Sequence, residues 1–204
     1  MAEVDDRLAR LSSALYSPDR AIDTLVVDGF QPEVGQAWRP RQAAVLVPIV
    51  LGPEPAVILT VRSDAMSSHA GQVALPGGRR SGQEPFPVTT ALREAAEETG
   101  IAPADVQVLG LMRRFDTISA YRIVPVVGVL STPPRLRPCP REVRAVFEVP
   151  LGRVFDPLSY RRHRVWHRHR SYEVWSMLSE RWPIWGATAS ILGHMAGLAS
   201  GRSS

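Results

Sequence analysis

The sequence predicts an α/β protein, in which apolar strands and amphipathic helices share one chain. The first observation is a set of short apolar runs rich in β-branched residues, which are typical of buried strands: 43–50, 56–61, 106–112 and 121–130. The second is a set of stretches with apolar residues at helical spacing or with helix start and stop signals: 3–16, 87–99 and 184–198. Together they predict strands packed against helices.

Length and composition favour one globular domain with an N-terminal extension. The chain has 204 residues, of which 45% are hydrophobic, enough for one substantial core. We expect an N-terminal helix and arm over 1–35 and the main domain over 36–200. No apolar run reaches membrane-spanning length, and the N-terminus has no signal-peptide pattern. With a single cysteine, Cys139, no internal disulfide can form, so we expect a reducing, cytoplasmic location.

All 24 basic residues are arginine. This excludes mechanisms that need a lysine, such as a P-loop lysine or a Schiff base. Phosphate binding is not disfavoured, because the planar guanidinium matches phosphate oxygens well. The net charge of +4 suits an anionic substrate without identifying one.

The first helix, 3–16, carries Val4, Leu8, Leu11 and Leu15 at helical spacing. We expect this apolar stripe to dock on the core or on a partner subunit in a homodimer. Residues 17–41 show no periodicity, which predicts an irregular arm.

The runs 43–50 and 56–61 are separated by a Gly-Pro-Glu-Pro turn, which predicts an antiparallel hairpin. Proline lacks the N–H that a sheet ladder needs, so Pro48 suggests that the first strand lies at an edge or contains a bulge.

The helix at 87–99 carries three carboxylates on or beside one face. Pro87 suits a first helical turn, and Gly100 with Pro103 behind it marks the end. Glu94, Glu97 and Glu98 are three and four residues apart, so their charges repel. A hard divalent cation such as Mg²⁺ would neutralise them and bridge to phosphates. The alternative is a solvated acidic face.

This helix and the loop before it resemble the Nudix box, G-x5-E-x7-R-E-U-x-E-E-x-G-U, in which U is apolar. The matching positions are Gly78, Glu84, Arg93, Glu94, Ala95, Glu97, Glu98, Gly100 and Ile101. Eight residues instead of seven separate Glu84 from Arg93. Because spacing is regular from Pro87 onward, the extra residue lies in the preceding loop, which leaves the role of Glu84 open.

The segment before the box resembles the signature L-L-T-x-R-S-x3-R-x3-G-x3-F-P-G-G of the coenzyme A pyrophosphatase branch of this family. The matches are Leu59, Thr60, Arg62, Ser63, Gly71, Pro76, Gly77 and Gly78. Ser67 stands where the signature has its second arginine, and Leu75 replaces the phenylalanine. The strand 121–130 also resembles that branch.

The resemblance implies a Nudix-type α/β/α sandwich with a mixed central sheet, and a pyrophosphohydrolase that uses Mg²⁺ or Mn²⁺. It assigns Glu94 and Glu98 as the primary metal ligands and Glu97 as a further ligand or the base, while Arg93 holds a box glutamate in place. The candidate substrate contacts are Arg62, His69, Gly71, Gln72, Gly77 and Gly78.

The implied reaction is hydrolysis of coenzyme A or its thioesters to 3′,5′-ADP and a 4′-phosphopantetheine species. One alternative is a Nudix hydrolase of another nucleoside diphosphate derivative, such as ADP-ribose, a dinucleotide or a nucleoside triphosphate. A second is a non-catalytic nucleotide or RNA sensor on the same scaffold. We expect a small nucleotide partner and no membrane or nucleic acid.

The remaining segments yield weaker predictions. The polar residues 113–117 are expected at the mouth of the site, 131–140 as an extended loop, and 142–149 as a strand. Glu142 is either a surface residue or an acidic group near the metals. The basic run 161–170 predicts a hairpin strand with arginines facing solvent or a phosphate-rich substrate such as a 3′-phosphorylated nucleotide, and 172–175 its return. In the closing helix, the predicted buried stripe is Trp185, Thr188, Ile191, Leu192 and Met195, and His194 is expected to be structural.

Overall fold

A mixed β-sheet lies between two layers of helices in the computed structural model, which describes residues 2–32, 37–66, 68–167, 170–179 and 181–201. The helices are α1 (Ala2–Ala14), α2 (Val88–Thr99), α3 (Leu151–Phe155) and α4 (Ala187–Ala199). The strands are β1 (Val27–Gly29), β2 (Arg41–Val50), β3 (Ala56–Arg62), β4 (Val73–Ala74), β5 (Gly77–Arg79), β6 (Gln107–Leu111), β7 (Arg114–Asp116), β8 (Tyr121–Leu130), β9 (Val143–Pro150), β10 (Tyr160–His167), β11 (Arg170–Met177) and β12 (Ile184–Trp185).

Strand β2 forms the middle of the larger sheet, whose main order is β1-β7-β8-β2-β3-β4. It runs parallel to β8 over its whole length and antiparallel to β3, as the predicted hairpin requires. Three more strands extend this sheet, since β5 pairs with β2, β6 with β8 and β9 with β3. The sheet is therefore mixed, as predicted.

The two faces of β2 pack against different helices, because side chains alternate along a strand. Val47 and Ile49 join a core with residues of α1, α3 and α4. Ala44 and Leu46 join a second core with Ala91 of α2. This confirms the predicted α/β/α sandwich and isolates α2 on its own face of the sheet.

Pro48 does not mark a sheet edge. On one side β2 pairs with β8 without interruption, and on the other it pairs with β5 through 43–45 and with β3 through 49–50. Pro48 lies in the gap between these two partial ladders, where a missing N–H leaves no ladder bond unmade. The central position of β2 thus corrects the edge prediction.

The N-terminal arm is more ordered than predicted. Within 17–41 the structure forms β1, which pairs in parallel with β7 at the edge of the larger sheet. Leu25 is buried in the core beside α2, and Leu11 of α1 is buried in the core beside α4. The pairing of β1 with β7 joins residues far apart in the sequence, so no local periodicity predicts it. The domain boundary at residue 35 stays a prediction.

Within the polar run 113–117, which was expected at the mouth of the site, Arg114–Asp116 form strand β7 of the larger sheet. Arg114 is buried and donates Nη2 to the carbonyl oxygen of Leu25 at 2.8 Å. The carboxylate of Asp116 accepts hydrogen bonds from Arg122 and from Trp38. These polar side chains attach the N-terminal segment to the sheet, which explains a polar run inside the fold.

A separate small sheet contains the predicted hairpin. β10 pairs antiparallel with β11, and β11 with β12. Residues 168 and 169 of the basic run lie outside the described residues. Trp185 was predicted to be buried but is 46% exposed, because 184–185 form β12 and α4 begins only at Ala187. The rest of the predicted stripe, from Thr188 to Met195, is buried. None of the described helices combines the length and the apolar character that a membrane span requires.

Candidate active site

The ends of α2 are defined by its flanking loops. Pro87 is the N-cap, so the helix begins at Val88, one residue after the predicted start, and Gly100 is the C-cap in the left-handed conformation, with φ 79°. The carbonyl oxygens of Glu98 and Thr99 accept backbone N–H groups from the proline-rich loop at 2.9 and 2.7 Å. This loop therefore satisfies the free carbonyls of the helix end and packs its own chain beside the carboxylates.

Arg93 contacts three carboxylates at once. Its Nε lies 3.0 Å from Oε2 of Glu84, its Nη2 2.8 Å from Oε1 of Glu94, and its Nη1 3.0 Å from Oε2 of Glu97. A planar guanidinium with five donors can make all of these bonds in one fixed arrangement. Arg93 thus offsets the repulsion that the acidic helix face would otherwise suffer.

Glu84 forms an ion pair with Arg93 in spite of the extra loop residue. Its carboxylate also accepts the backbone N–H of Ser81 and the hydroxyl of Thr90, both at 2.8 Å. The hydrogen bond from Arg93, followed by those from Ser81 and Thr90, lowers the pKa of Glu84 to about 2. The loop before Pro87 absorbs the insertion. Spacing alone left the role of Glu84 open, and the tertiary contact places it as a partner of Arg93.

Glu98 is buried with few partners. It is 3% exposed, accepts the backbone N–H of Gly77 at 3.1 Å, and lies 3.9 Å from Nη1 of Arg62. Burial raises the pKa of Glu98 to about 7, and the charges of Glu94 and Glu142 act in the same direction. Its charged form is therefore under-stabilised as the side chains stand.

Glu94 lies against the backbone of the preceding turn. A Cβ atom at Gly78 would overlap the Glu94 carboxylate, so the box glycine gives this side chain its space. At Gly77 a Cβ would collide with β2, and its φ of 155° is one that other residues rarely adopt. Burial raises the pKa of Glu94, while Arg93 opposes the shift and Glu97 and Glu142 add to it. The two glycines thus let the turn approach the carboxylates closely.

Arg62 ends β3 and reaches the box from the segment before it. Besides the 3.9 Å approach to Glu98, its Nε is buried and has no hydrogen-bond partner among the described residues. An unpartnered buried donor is costly, so an anion arriving here gains a ready charge-assisted bond.

The other predicted substrate contacts lie in the loop after β3. Gly71 and Gln72 make backbone hydrogen bonds to Arg62, and the His69 ring contacts the Gln72 side chain at 2.9 Å. Among the described side chains, His69 forms no hydrogen bond to a box glutamate. Ser67, at the departure from the signature, lies outside the described residues.

Glu142 stands close to the site. The loop through Cys139 hydrogen-bonds the end of α2 and then accepts the backbone N–H of Glu142 at 3.0 Å. The Glu142 charge contributes to the raised pKa of both Glu94 and Glu98, so its carboxylate shares their surroundings. The signal for this residue in the sequence is the family resemblance, which left it open between a surface position and a place near the metals.

The donor chemistry fits a hard divalent cation. Several carboxylates surround one region, and two of them have raised pKa values that a cation would relieve. In the part of the chain that the structure describes, no three acidic, histidine or cysteine side chains converge as metal ligands. Glu94 and Glu97 each give one carboxylate oxygen to Arg93, and Glu98 gives one to the N–H of Gly77, so the three side chains would have to move closer together to hold a metal.

Solved structures similar to this chain include a Nudix hydrolase from M. smegmatis, RenU, with 26% identity and a TM-score of 0.48 over 58% of this chain and 75% of that one. Another is a MutT NUDIX hydrolase from Burkholderia pseudomallei, with 19% identity and a TM-score of 0.47 over 77% and 98% of the two chains.

Sequence relatives are closer. The chain is 40% identical over 156 residues to the protein named Uncharacterized Nudix hydrolase NudL of Escherichia coli (strain K12), which covers 76% of this chain and 81% of the relative. The same figures hold for the protein of that name in Shigella boydii serotype 18. A family model described as the NUDIX domain matches residues 40–172, more than half of the chain. The chain therefore belongs to the Nudix hydrolase family.

Proposed function

We propose that this Nudix hydrolase cleaves the pyrophosphate of coenzyme A or its thioesters, releasing 3′,5′-ADP and a 4′-phosphopantetheine species. One observation carries the proposal. The segment that resembles the coenzyme A branch contacts the box itself, through Arg62 and the N–H of Gly77 at Glu98. The residues that resemble a substrate signature and those that resemble a metal site thus belong to one site.

Each side chain has a proposed task. Glu94, Glu97 and Glu98 hold Mg²⁺ or Mn²⁺, which when bound neutralises phosphate charge and lowers the pKa of water. Arg62 binds a phosphate oxygen through its free Nε. Arg93 positions the carboxylates, and Glu84 positions Arg93. Glu97, the most exposed of the three box carboxylates, is the alternative base that orients the attacking water.

Glu142 supplies a further carboxylate to the same region. Its effect on the pKa values of Glu94 and Glu98 supports a role beside the metal ligands. Replacement by Gln removes the charge and keeps the shape. We expect lower activity at limiting Mg²⁺ and partial recovery at high Mg²⁺, and the same activity curve as the unmodified protein would rule the role out.

A second candidate is hydrolysis of another nucleoside diphosphate derivative, such as ADP-ribose, a dinucleotide or a nucleoside triphosphate. It is favoured by Ser67, which replaces the second arginine of the coenzyme A signature. A non-catalytic sensor is the third candidate. It is disfavoured because all three box carboxylates are present and two of them, Glu94 and Glu97, contact Arg93.

The test is a substrate panel with mass-spectrometric identification of products, run with Mg²⁺ and with Mn²⁺. Coenzyme A should yield 3′,5′-ADP and 4′-phosphopantetheine at a higher kcat/KM than ADP-ribose, diadenosine polyphosphates or nucleoside triphosphates. No 3′,5′-ADP with either metal overturns the proposal, and turnover of another panel member identifies the alternative. Absence of any hydrolysis favours the sensor.

A further inference from the structure

Beside the candidate active site, two guanidinium groups flank the indole ring of one tryptophan. The guanidinium carbon of Arg144 lies 4.7 Å from the ring centroid of Trp182, and that of Arg181 lies 5.6 Å from it. The Nη1 of Arg144 also contacts Oδ2 of Asp64 at 2.8 Å. We refer to Arg144, Arg181 and Trp182 as the indole cluster.

The indole cluster is tied to the active site through the strands. Val143, the residue before Arg144, is the cross-strand partner of Arg62, at an irregularity between β3 and β9. Paired residues in antiparallel strands lie about 5 Å apart and consecutive Cα atoms 3.8 Å, so the Cα atoms of Arg144 and Arg62 lie within about 10 Å. Asp64, which contacts Arg144, follows Arg62 by two residues.

The cluster contains a donor that the protein does not use. The indole Nε1 of Trp182 is buried without a hydrogen-bond partner in the described chain, and the same holds for Nε of Arg62. These two are the unpartnered buried side-chain donors found among the described residues. A buried N–H usually has a partner, so an unused indole donor beside two guanidinium groups indicates a missing acceptor.

Charge specifies the acceptor. Arg144 and Arg181 bring two positive charges to one ring, and Asp64 offsets one of them. A phosphomonoester carries close to two negative charges at neutral pH and accepts several hydrogen bonds. We propose that the indole cluster binds a phosphomonoester of the substrate outside the hydrolysed pyrophosphate. This inference rests on the proposed function and assigns the cluster to the 3′-phosphate on the ribose.

The arginines of the β10–β11 hairpin are the competing location. Arg162 stacks over Trp175 at 4.6 Å and approaches Glu173 at 3.5 Å, while Arg161 donates Nη1 to the carbonyl oxygens of Leu158 and Tyr160. These cations are engaged within the hairpin and its base. Arg162 therefore provides a matched control, an arginine on a tryptophan outside the indole cluster.

The experiment measures binding and turnover separately. Binding compares adenosine 3′,5′-bisphosphate with adenosine 5′-monophosphate by calorimetry without metal. Turnover compares kcat/KM for coenzyme A with that for 3′-dephospho-coenzyme A in Mg²⁺. The variants are Arg181→Gln, Arg144→Gln, Trp182→Phe and the control Arg162→Gln, with thermal melting of each as a check of folding.

The unmodified protein should bind the bisphosphate at least about tenfold more tightly than the monophosphate and prefer coenzyme A to its dephospho form. Each arginine substitution in the indole cluster should reduce both preferences about fivefold to tenfold, and Trp182→Phe about threefold, because each removes one donor to the phosphate. Arg162→Gln should leave both ratios unchanged. Arg181 is exposed, so its variant tests the inference even if Arg144→Gln fails to fold.

Equal binding of the two nucleotides, or ratios that change only in Arg162→Gln, overturns the inference. The two arms also separate its failure from failure of the proposed function. If coenzyme A is not hydrolysed but the preference for the bisphosphate exists and depends on Arg181, the phosphate site at the indole cluster is supported and the proposed substrate is contradicted. If coenzyme A and 3′-dephospho-coenzyme A are hydrolysed equally well, the proposed substrate is supported and the phosphate site at the indole cluster is contradicted.

Discussion

Two buried carboxylates, Glu98 on α2 and Asp116 on β7, are held in opposite ways. Asp116 is 2% exposed and receives two hydrogen bonds from Arg122, both at 2.7 Å, and a third from Trp38 at 3.1 Å. Glu98 is 3% exposed and has one backbone N–H at 3.1 Å and a guanidinium no closer than 3.9 Å. The two carboxylates are therefore almost equally buried, but the hydrogen bonds and positive charges that compensate their burial differ greatly.

We propose that this difference distinguishes a structural carboxylate, Asp116, from a functional one, Glu98. Burying a charge is costly unless it is paired and hydrogen-bonded, and Asp116 meets that condition. Glu98 does not, and its pKa of about 7 records the deficit. Perturbed carboxylates with unmet electrostatic demand concentrate at sites that bind cations or do chemistry. Four predictions test the contrast, from the largest expected effect to the smallest.

Glu98→Gln should lower kcat about 1,000-fold, the size typical of losing a charged group that acts in the transition state. Its metal-free melting temperature should be unchanged or higher, because the neutral amide removes a poorly compensated buried charge. Steady-state kinetics and thermal melting in EDTA check both halves. Unchanged hydrolysis would remove Glu98 from the site.

The contribution of Glu98 to metal-free stability should fall as pH rises between about 4.5 and about 7. Burial lowers the pKa of His194 to about 4, which gives the opposite trend over much of this range, so the Glu98 contribution is taken as the difference between the unmodified protein and Glu98→Gln. In this window folded Glu98 stays protonated while the unfolded chain ionises it, so the folded state binds more protons and raising the pH favours unfolding. The contribution is at most about 3 kcal/mol. Urea unfolding across this range in EDTA measures it. The slope of stability against pH should be more positive in Glu98→Gln than in the unmodified protein, and an equal slope in both proteins contradicts the assignment.

Asp116→Asn should lower the free energy of unfolding by about 2–3 kcal/mol, because it leaves a partly buried Arg122 without its charged partner. The active site is far along the sheet order, so kcat of the folded variant should stay within about twofold. Urea unfolding and activity at saturating substrate are the measurements. Glu3→Gln is the control, because its ion pair with Arg7 is exposed and is worth under about 1 kcal/mol. Equal stability losses for the two variants would contradict the prediction.

Glu84→Gln should lower kcat about tenfold and raise the Mg²⁺ concentration needed for half-activation, because Arg93 loses its charged anchor and no longer positions the carboxylates. Activity against Mg²⁺ concentration is the readout, and recovery at high Mg²⁺ distinguishes positioning from general damage. Gln83→Ala, at the exposed neighbouring position, should behave as the unmodified protein. If Glu84→Gln does the same, Glu84 is only a loop residue.

Sequence patterns predicted well those elements whose signals are local. The box helix, predicted over 87–99, spans Val88–Thr99, and the strand predicted over 121–130 spans those residues. Caps, β-branched runs and helical periodicity all lie within a few residues of what they specify. The same holds for the hairpin of β10 and β11.

The errors concern residues whose environment comes from distant chain. Strand β1 forms by pairing with β7, about 90 residues further along the chain. Arg114 and Asp116 of the polar run 113–117 are buried, and Arg114 bonds to the N-terminal segment at Leu25. Pro48 indicated a sheet edge in the sequence, but β2 is central, and β5 and β3 pair with separate parts of the same side of β2. Trp185 does not lie in a helix, because α4 begins two residues after it, at Ala187.

By itself the sequence determined the fold class, the Nudix box and the three carboxylates on or beside one helix face, because these follow from local patterns and from motif spacing within short segments. Tertiary structure decided how those charges are compensated: Glu84 anchors Arg93, Arg62 only approaches Glu98, and the proline-rich loop brings Glu142 near. Electrostatic compensation depends on distance and burial across separate elements. No local pattern specifies those quantities, and they are what distinguishes Glu98 from Asp116.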